Sequence, residues 1–123
     1  MGVAAYRSGN ARVEAGHPAE SVRYYQIATA MTPDSVDAHV NFGSVLAGLD
    51  RNAEALREFE AALQLEPGSA DIHNNLGGLL AQSGRWAEAE AQFEAALRLQ
   101  PDFRAARNNL ERLRQIMNDR GVR

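Results

Sequence analysis

The chain has 123 residues, with 16 acidic and 13 cationic side chains, a formal net charge of −3, no cysteine and 45% hydrophobic residues. That length allows one compact domain and leaves no room for a catalytic domain beside a substrate domain. The missing cysteines exclude a disulfide scaffold, a thiol nucleophile and any thiolate zinc site.

All 13 cations are arginine, which excludes Schiff-base lysine chemistry and a phosphate loop of the GxxxxGK type. A lysine-free composition also points to a GC-rich genome and hence a bacterium. No apolar run approaches the roughly 18 residues of a membrane helix, and no signal-peptide pattern opens the chain. Membrane insertion is therefore not expected, and the default location is cytoplasmic. Met1-Gly2 begins like a myristoylation site, but Tyr6 stands where serine or threonine is required. A mildly acidic balance argues against nucleic acid as the main partner. With 22 alanines and four prolines, the expectation is an all-α fold.

Pro33, Pro67 and Pro101 are spaced by 34 residues, with Pro18 apart. Sliding the sequence by 34 aligns residues 36–69 with 70–103 at 17 identical positions, and residues 2–35 agree with 36–69 at eight. A fixed period in this range marks a repeat array. The predicted organisation is a single domain over 1–123: repeats at about 2–33, 34–67 and 68–101, then a capping helix at about 102–119.

Each repeat reads as two helices. In the first, Gly9, Ala19, Glu20, Ala28 and Pro33 agree with the second, and His17 sits in a solvated turn beside Pro18. In the second, Ser35 is the N-cap, and Phe42, Val45, Leu46 and Leu49 form an apolar stripe. After a turn near Asp50-Arg51-Asn52, a second helix carries Ala55, Leu56, Phe59, Ala62 and Leu63 inward and ends at Pro67. The third repeat follows with Ser69 as cap, then Leu76, Leu79 and Leu80, a turn at Ser83-Gly84, and Trp86, Ala89, Phe93, Ala96 and Leu97. Gly43 and Gly77 lie mid-helix at one phase, where another backbone is expected to come close. Tyr24, Tyr25 and Trp86 are expected to fill core. The pairs Glu58/Glu60 and Glu88/Glu90 are expected on a solvated surface.

From Asp102 onward, Phe103, Ala106, Leu110, Leu113 and Met117 step by 3, 4, 3 and 4, an amphipathic stripe. Residues 102–123 hold six arginines against three acids, net +3, whereas 34–101 hold four against eleven, net −7. The stripe is expected to cover the last repeat, with the tail from Asn118 frayed.

These residues resemble the tetratricopeptide repeat family. The second unit offers His39, Phe42, Gly43, Leu46, Ala55, Phe59, Ala62 and Pro67 at the eight family phases, and the third offers His73, Leu76, Gly77, Leu80, Ala89, Phe93, Ala96 and Pro101. Histidine stands where tryptophan is usual. The first unit matches at Gly9, Ser21, Tyr25, Ala28 and Pro33, while Ala5, Ser8 and Arg12 lack the usual bulk. The resemblance implies a right-handed α-solenoid of three helix-turn-helix units plus a C-terminal capping helix.

It also implies a concave face carrying Tyr6, Arg7, Asn10 and Val13, then Asp37, Val40, Asn41, Ser44 and Ala47. Asp71, Asn74, Asn75, Gly78 and Gln82 follow, with Asn108, Asn109 and Arg112 from the last helix. Asn41, Asn75 and Asn109 share one phase. An asparagine amide offers one acceptor and two donors, the complement of a peptide bond. Rungs about 8–10 Å apart match roughly three residues of extended peptide. Such a ladder resembles that of O-linked N-acetylglucosamine transferase repeats, whose His-x-Asn-Leu-Gly type of run is seen as His73-Asn74-Asn75-Leu76-Gly77.

A carboxylate clamp of the chaperone-binding kind is not expected, because its cationic phases hold Tyr6, Asp71 and Asn75. Asp37 and Asp71 follow serine caps and serve the helix dipole, with recognition of a basic ligand as the alternative. His39 and His73 are expected as inter-helix packing groups and not metal ligands. No serine, histidine and acid trio has a catalytic motif around it. The predicted function is a non-catalytic module that binds an extended peptide of a protein partner, with micromolar affinity and without cofactor or metal. The alternatives are a substrate-recruiting piece of a larger enzyme, such as a glycosyltransferase, and a self-assembling homo-oligomer.

Overall fold

The computed structural model describes residues 1–121. Among these residues the chain forms seven helices and no strand: α1 (Gly2–Glu14), α2 (Pro18–Met31), α3 (Val36–Gly48), α4 (Asn52–Leu65), α5 (Ala70–Gln82), α6 (Trp86–Leu99) and α7 (Arg104–Asp119). They group into two compact units, Met1–Pro67 with α1–α4 and Gly68–Arg123 with α5–α7.

Local chemistry sets the helix ends. The Ser35 and Ser69 hydroxyls accept the N–H groups of Ala38 and Ile72, each at 3.2 Å, satisfying donors that a helix start leaves open. Asp37 and Asp71 lie in the first turns of α3 and α5. α2, α4 and α6 end at Met31, Leu65 and Leu99, two residues before Pro33, Pro67 and Pro101. The end expected at Pro67 falls earlier because a residue preceding proline is pushed out of the helical region. Gly16, Asp50 and Gly84 recur at one phase inside the three hairpins with φ of 81°, 62° and 78°. The tight turn of each hairpin demands left-handed backbone there.

In the first unit, α1 packs on α2, α3 on α4, and α3 also meets α1 and α2. Tyr25, Ala28, Phe42, Leu46, Phe59 and Ala62 fill its interior. Tyr25 stacks on Phe42 with centroids 5.8 Å apart and lies 6.2 Å from Tyr6 at a tilt. Despite the small residues on α1, the helix forms: Ala5 joins Ala28 and Ala38 in a cluster covered by Tyr6. In the second unit α5 packs on α6, and α7 lies against both. The stripe Ala106, Leu110, Leu113 and Met117 is buried there, and Phe103 covers the cluster of Ala70, Ala96 and Ala106. Burial of each large side chain of that stripe contributes roughly 1.5–3 kcal/mol. α7 stays helical through Asn118 and Asp119, where fraying was expected; residues 122–123 lie outside the described part.

The mid-helix glycines have a different cause from the one expected. A Cβ on Gly43 would meet Phe59 ring atoms at 2.9–3.1 Å, and one on Gly77 would meet the Phe93 ring at 2.7–3.1 Å. Gly9 faces Tyr25 in the same way at 3.0–3.2 Å. What approaches is an aromatic ring from the second helix of each hairpin, not backbone. The facing alanines Ala55, Ala62, Ala89 and Ala96 are fully buried.

Candidate functional site

The two histidines tie the hairpins together. His39 Nδ1 lies 2.8 Å from Glu58 Oε1, and its Nε2 lies 2.9 Å from the Pro33 carbonyl. His73 Nδ1 lies 2.7 Å from Gln92 Oε1. Glu58 is therefore a half-buried partner of α3 and not a solvated convex group. Glu90 is corrected likewise: with Glu94 it accepts the Arg114 guanidinium of α7, at 2.9 and 3.2 Å. On the open helix surface, Arg51 pairs with Glu54 and Arg85 with Glu88 through two bonds each. Those bonds hold both carboxyl groups below the ordinary carboxylate range.

In the first unit, Asn10 and Tyr6 of α1 and Asn41 of α3 are half-buried. The Tyr25 hydroxyl donates to Asn10 Oδ1, and Asn41 Nδ2 donates to the Tyr6 hydroxyl. These bonds orient the amides and leave each with unused polar capacity. Burial, then the neighbouring Tyr6 and Glu14, push the Tyr25 phenol above its ordinary pKa. Asn10, Val13, Tyr25, Asn41, Ser44 and Val45, with Glu14 at the side, line an open hollow of about 300 Å³. Asp37 and Ser44 are exposed.

In the second unit, Asn74 and Asn75 of α5 and Asn109 of α7 are half-buried, while Asp71, Gln82, Asn108 and Arg112 are exposed. Asn109 Nδ2 donates to Asn74 Oδ1 at 3.1 Å, and Arg112 donates to Asn109 Oδ1 at 2.7 Å. Gly78, Ala81, Trp86, Phe93, Asn109, Arg112, Leu113 and Ile116 line a hollow of about 240 Å³. The expected site residues Tyr6, Asp37, Asp71, Asn74, Asn75, Gln82 and Asn108 line neither hollow.

The two hollows follow one plan. Asn10, Val13, Tyr25, Asn41, Ser44 and Val45 become, two periods or 68 residues later, Gly78, Ala81, Phe93, Asn109, Arg112 and Leu113. Trp86 is the residue that sequence reasoning misplaced. It is half-buried at the start of α6, lines the second hollow, and carries the Arg120 guanidinium 5.3 Å from its ring centre. Tyr24 is likewise half-buried, under Arg12 at 5.6 Å. Neither fills core: Tyr24 stands one residue from the inward-facing Tyr25, and Trp86, though on the Phe93 face, is the first residue of α6, where that face opens onto the hollow. Among the described residues no group of three or more His, Asp or Glu could hold a metal, and no helix is long and apolar enough to cross a membrane.

Residues 6–49 and 40–102 match the family model described as tetratricopeptide repeat. No curated protein matches the chain. Among solved structures, it is similar to YrrB, described as a TPR protein with an unusual peptide-binding site, at 29% identity and a TM-score of 0.85. That match covers 88% of this chain, which spans only 56% of the YrrB chain. The first TPR of Spaghetti (RPAP3), bound to the HSP90 peptide SRMEEVD, is 20% identical with a TM-score of 0.89 over 95% of this chain and 93% of its own. MamA is 19% identical with a TM-score of 0.90, over 100% and 70%. The last two likenesses concern the fold.

Proposed function

Because the chain belongs to the tetratricopeptide repeat family, a fold that typically mediates protein–protein or peptide interactions, we propose that it is a non-catalytic module receiving an extended segment of a partner protein. The observation that carries this reading is the doubled hollow, each copy edged by a half-buried asparagine: Asn41, held by the Tyr6 hydroxyl, and Asn109, held by Asn74 and Arg112. Asn75 holds the same phase on α5. Amides so oriented offer donors and an acceptor to peptide backbone, which explains binding that tolerates varied side chains. The peptide-binding site described for YrrB supports the same use.

Three hairpins as three repeats, followed by α7 as a cap on the last, belong to this reading and rest on the shared 34-residue phase. A carboxylate clamp is disfavoured: the Tyr6 hydroxyl is engaged by Asn41, and Asp71 presents the wrong charge. The likeness to glycosyltransferase repeats stands on His73–Gly77 alone. The experiment is selection of peptides from a random display library on the full chain, then titration into wild type and an Asn41→Ala/Asn75→Ala variant. At least a tenfold loss is expected; equal affinity overturns the amides as the binding device.

A further inference from the structure

The two hollows share a plan but not a chemistry. Trp86 and Ile116 line the second hollow, whereas Pro18 and Gly48, the residues 68 positions earlier, do not line the first. Trp86, Phe93, Leu113 and Ile116 make its wall apolar. At its rim Ser44 is replaced by Arg112, whose guanidinium is exposed and bonds only the neutral Asn109 amide, with no acidic partner among the described residues. The first hollow instead has Glu14 at its side. The sequence context reinforces the difference, since residues 102–123 carry net +3.

We infer that the second hollow is a specificity pocket for an apolar side chain flanked by an acidic residue in the partner's extended segment. This deepens the proposed peptide-binding role and rests on it. The apolar side chain displaces water from the Trp86–Ile116 wall. The acidic neighbour meets Arg112, whose planar fork suits a carboxylate. The carboxylate commits the occupant to a peptide of this kind over a basic one.

Trp86 is the single tryptophan of the chain, so its emission reports the pocket directly. The test titrates three capped peptides into the full chain: Ac-Ala-Asp-Leu-Asp-Ala-NH2, its Lys-Leu-Lys counterpart, and an Asp-Ala-Asp control. The Asp-Leu-Asp peptide is expected to shift Trp86 emission and to bind about threefold more tightly than the lysine peptide, the scale of an exposed ion pair. The leucine-free control is expected to bind about tenfold more weakly. In Arg112→Gln the charge preference disappears, and in Arg112→Glu it reverses, with unchanged helical circular dichroism as the folding control. Equal binding of the two charged peptides, no Trp86 response, or an emission change that follows protein concentration alone, which would assign the pocket to a second copy, each overturns the inference. Loss of the amide effect in the Asn41/Asn75 experiment, with the Trp86 preference intact, would fault the backbone-binding reading instead.

Discussion

The Phe93 ring lies so close over Gly77 that a β-carbon there would meet Cε1 at 2.7 Å, while a β-carbon on the next residue, Gly78, would meet nothing within 4 Å. Two adjacent glycines in α5 therefore do opposite things. Gly77 makes room for a buried ring, whereas Gly78 is exposed at the edge of the second hollow, where a β-carbon has room.

Gly77→Ala is expected to destabilise the protein by roughly 1–3 kcal/mol, since a β-carbon 2.7–3.1 Å from the ring atoms forces the buried Phe93 ring to shift. Gly78→Ala is expected to stabilise it by about 0.5–1 kcal/mol through helix propensity. Denaturant midpoints of the two variants measure both signs in one experiment.

Tyr25→Phe removes the bond from the phenol to Asn10 but keeps the ring that Phe59 and Phe93 provide at the same phase. A loss of about 1 kcal/mol at neutral pH is expected. The Tyr25 pKa is raised in the fold, so the neutral phenol's contribution is present below its ordinary pKa of about 10 and disappears as pH climbs through the higher folded value. Wild-type unfolding at alkaline pH should therefore show a loss of stability that the variant lacks.

The Arg51–Glu54 and Arg85–Glu88 pairs act at the acid end. Both carboxyl groups titrate below their ordinary range because the arginine bonds favour the charged form. Their support is present above about pH 4.3 and is withdrawn as pH falls through the lower folded values. A Glu54→Gln/Glu88→Gln variant should have a lower thermal midpoint than wild type at pH 7. The gap should narrow with added salt and close in acid. Midpoints recorded across pH and salt check it.

The 34-residue period exposed the hairpins, the glycine and aromatic phases and the buried face of α7, because each is a repeated volume or a repeated stripe. The period also contained the turn phase of Gly16, Asp50 and Gly84, which requires only comparing hairpin ends. The partners of Glu58 and Glu90 and the half-exposure of Trp86 are different in kind. They depend on which side chain a neighbouring helix presents, as when His39 meets Glu58 or Arg114 meets Glu90. Helical spacing within one segment carries no signal for that. A comparison two periods apart, of Ser44 with Arg112 and Pro18 with Trp86, would have marked the second hollow as unlike the first.

Leu110→Ala tests the contribution of α7 to the second unit. Leu110 is 5% exposed in the stripe against α5 and α6, and its truncation should cost roughly 2–5 kcal/mol. Hydrogen exchange should localise the loosening to residues 68–121.

The side-chain amide resonances of Asn41, Asn75 and Asn109, followed in the ¹⁵N-labelled full chain during titration with a library-selected peptide, test the central claim most directly. All three should move and saturate at a common peptide concentration. Saturable shifts confined to other residues, with those three amides unmoved, would contradict it.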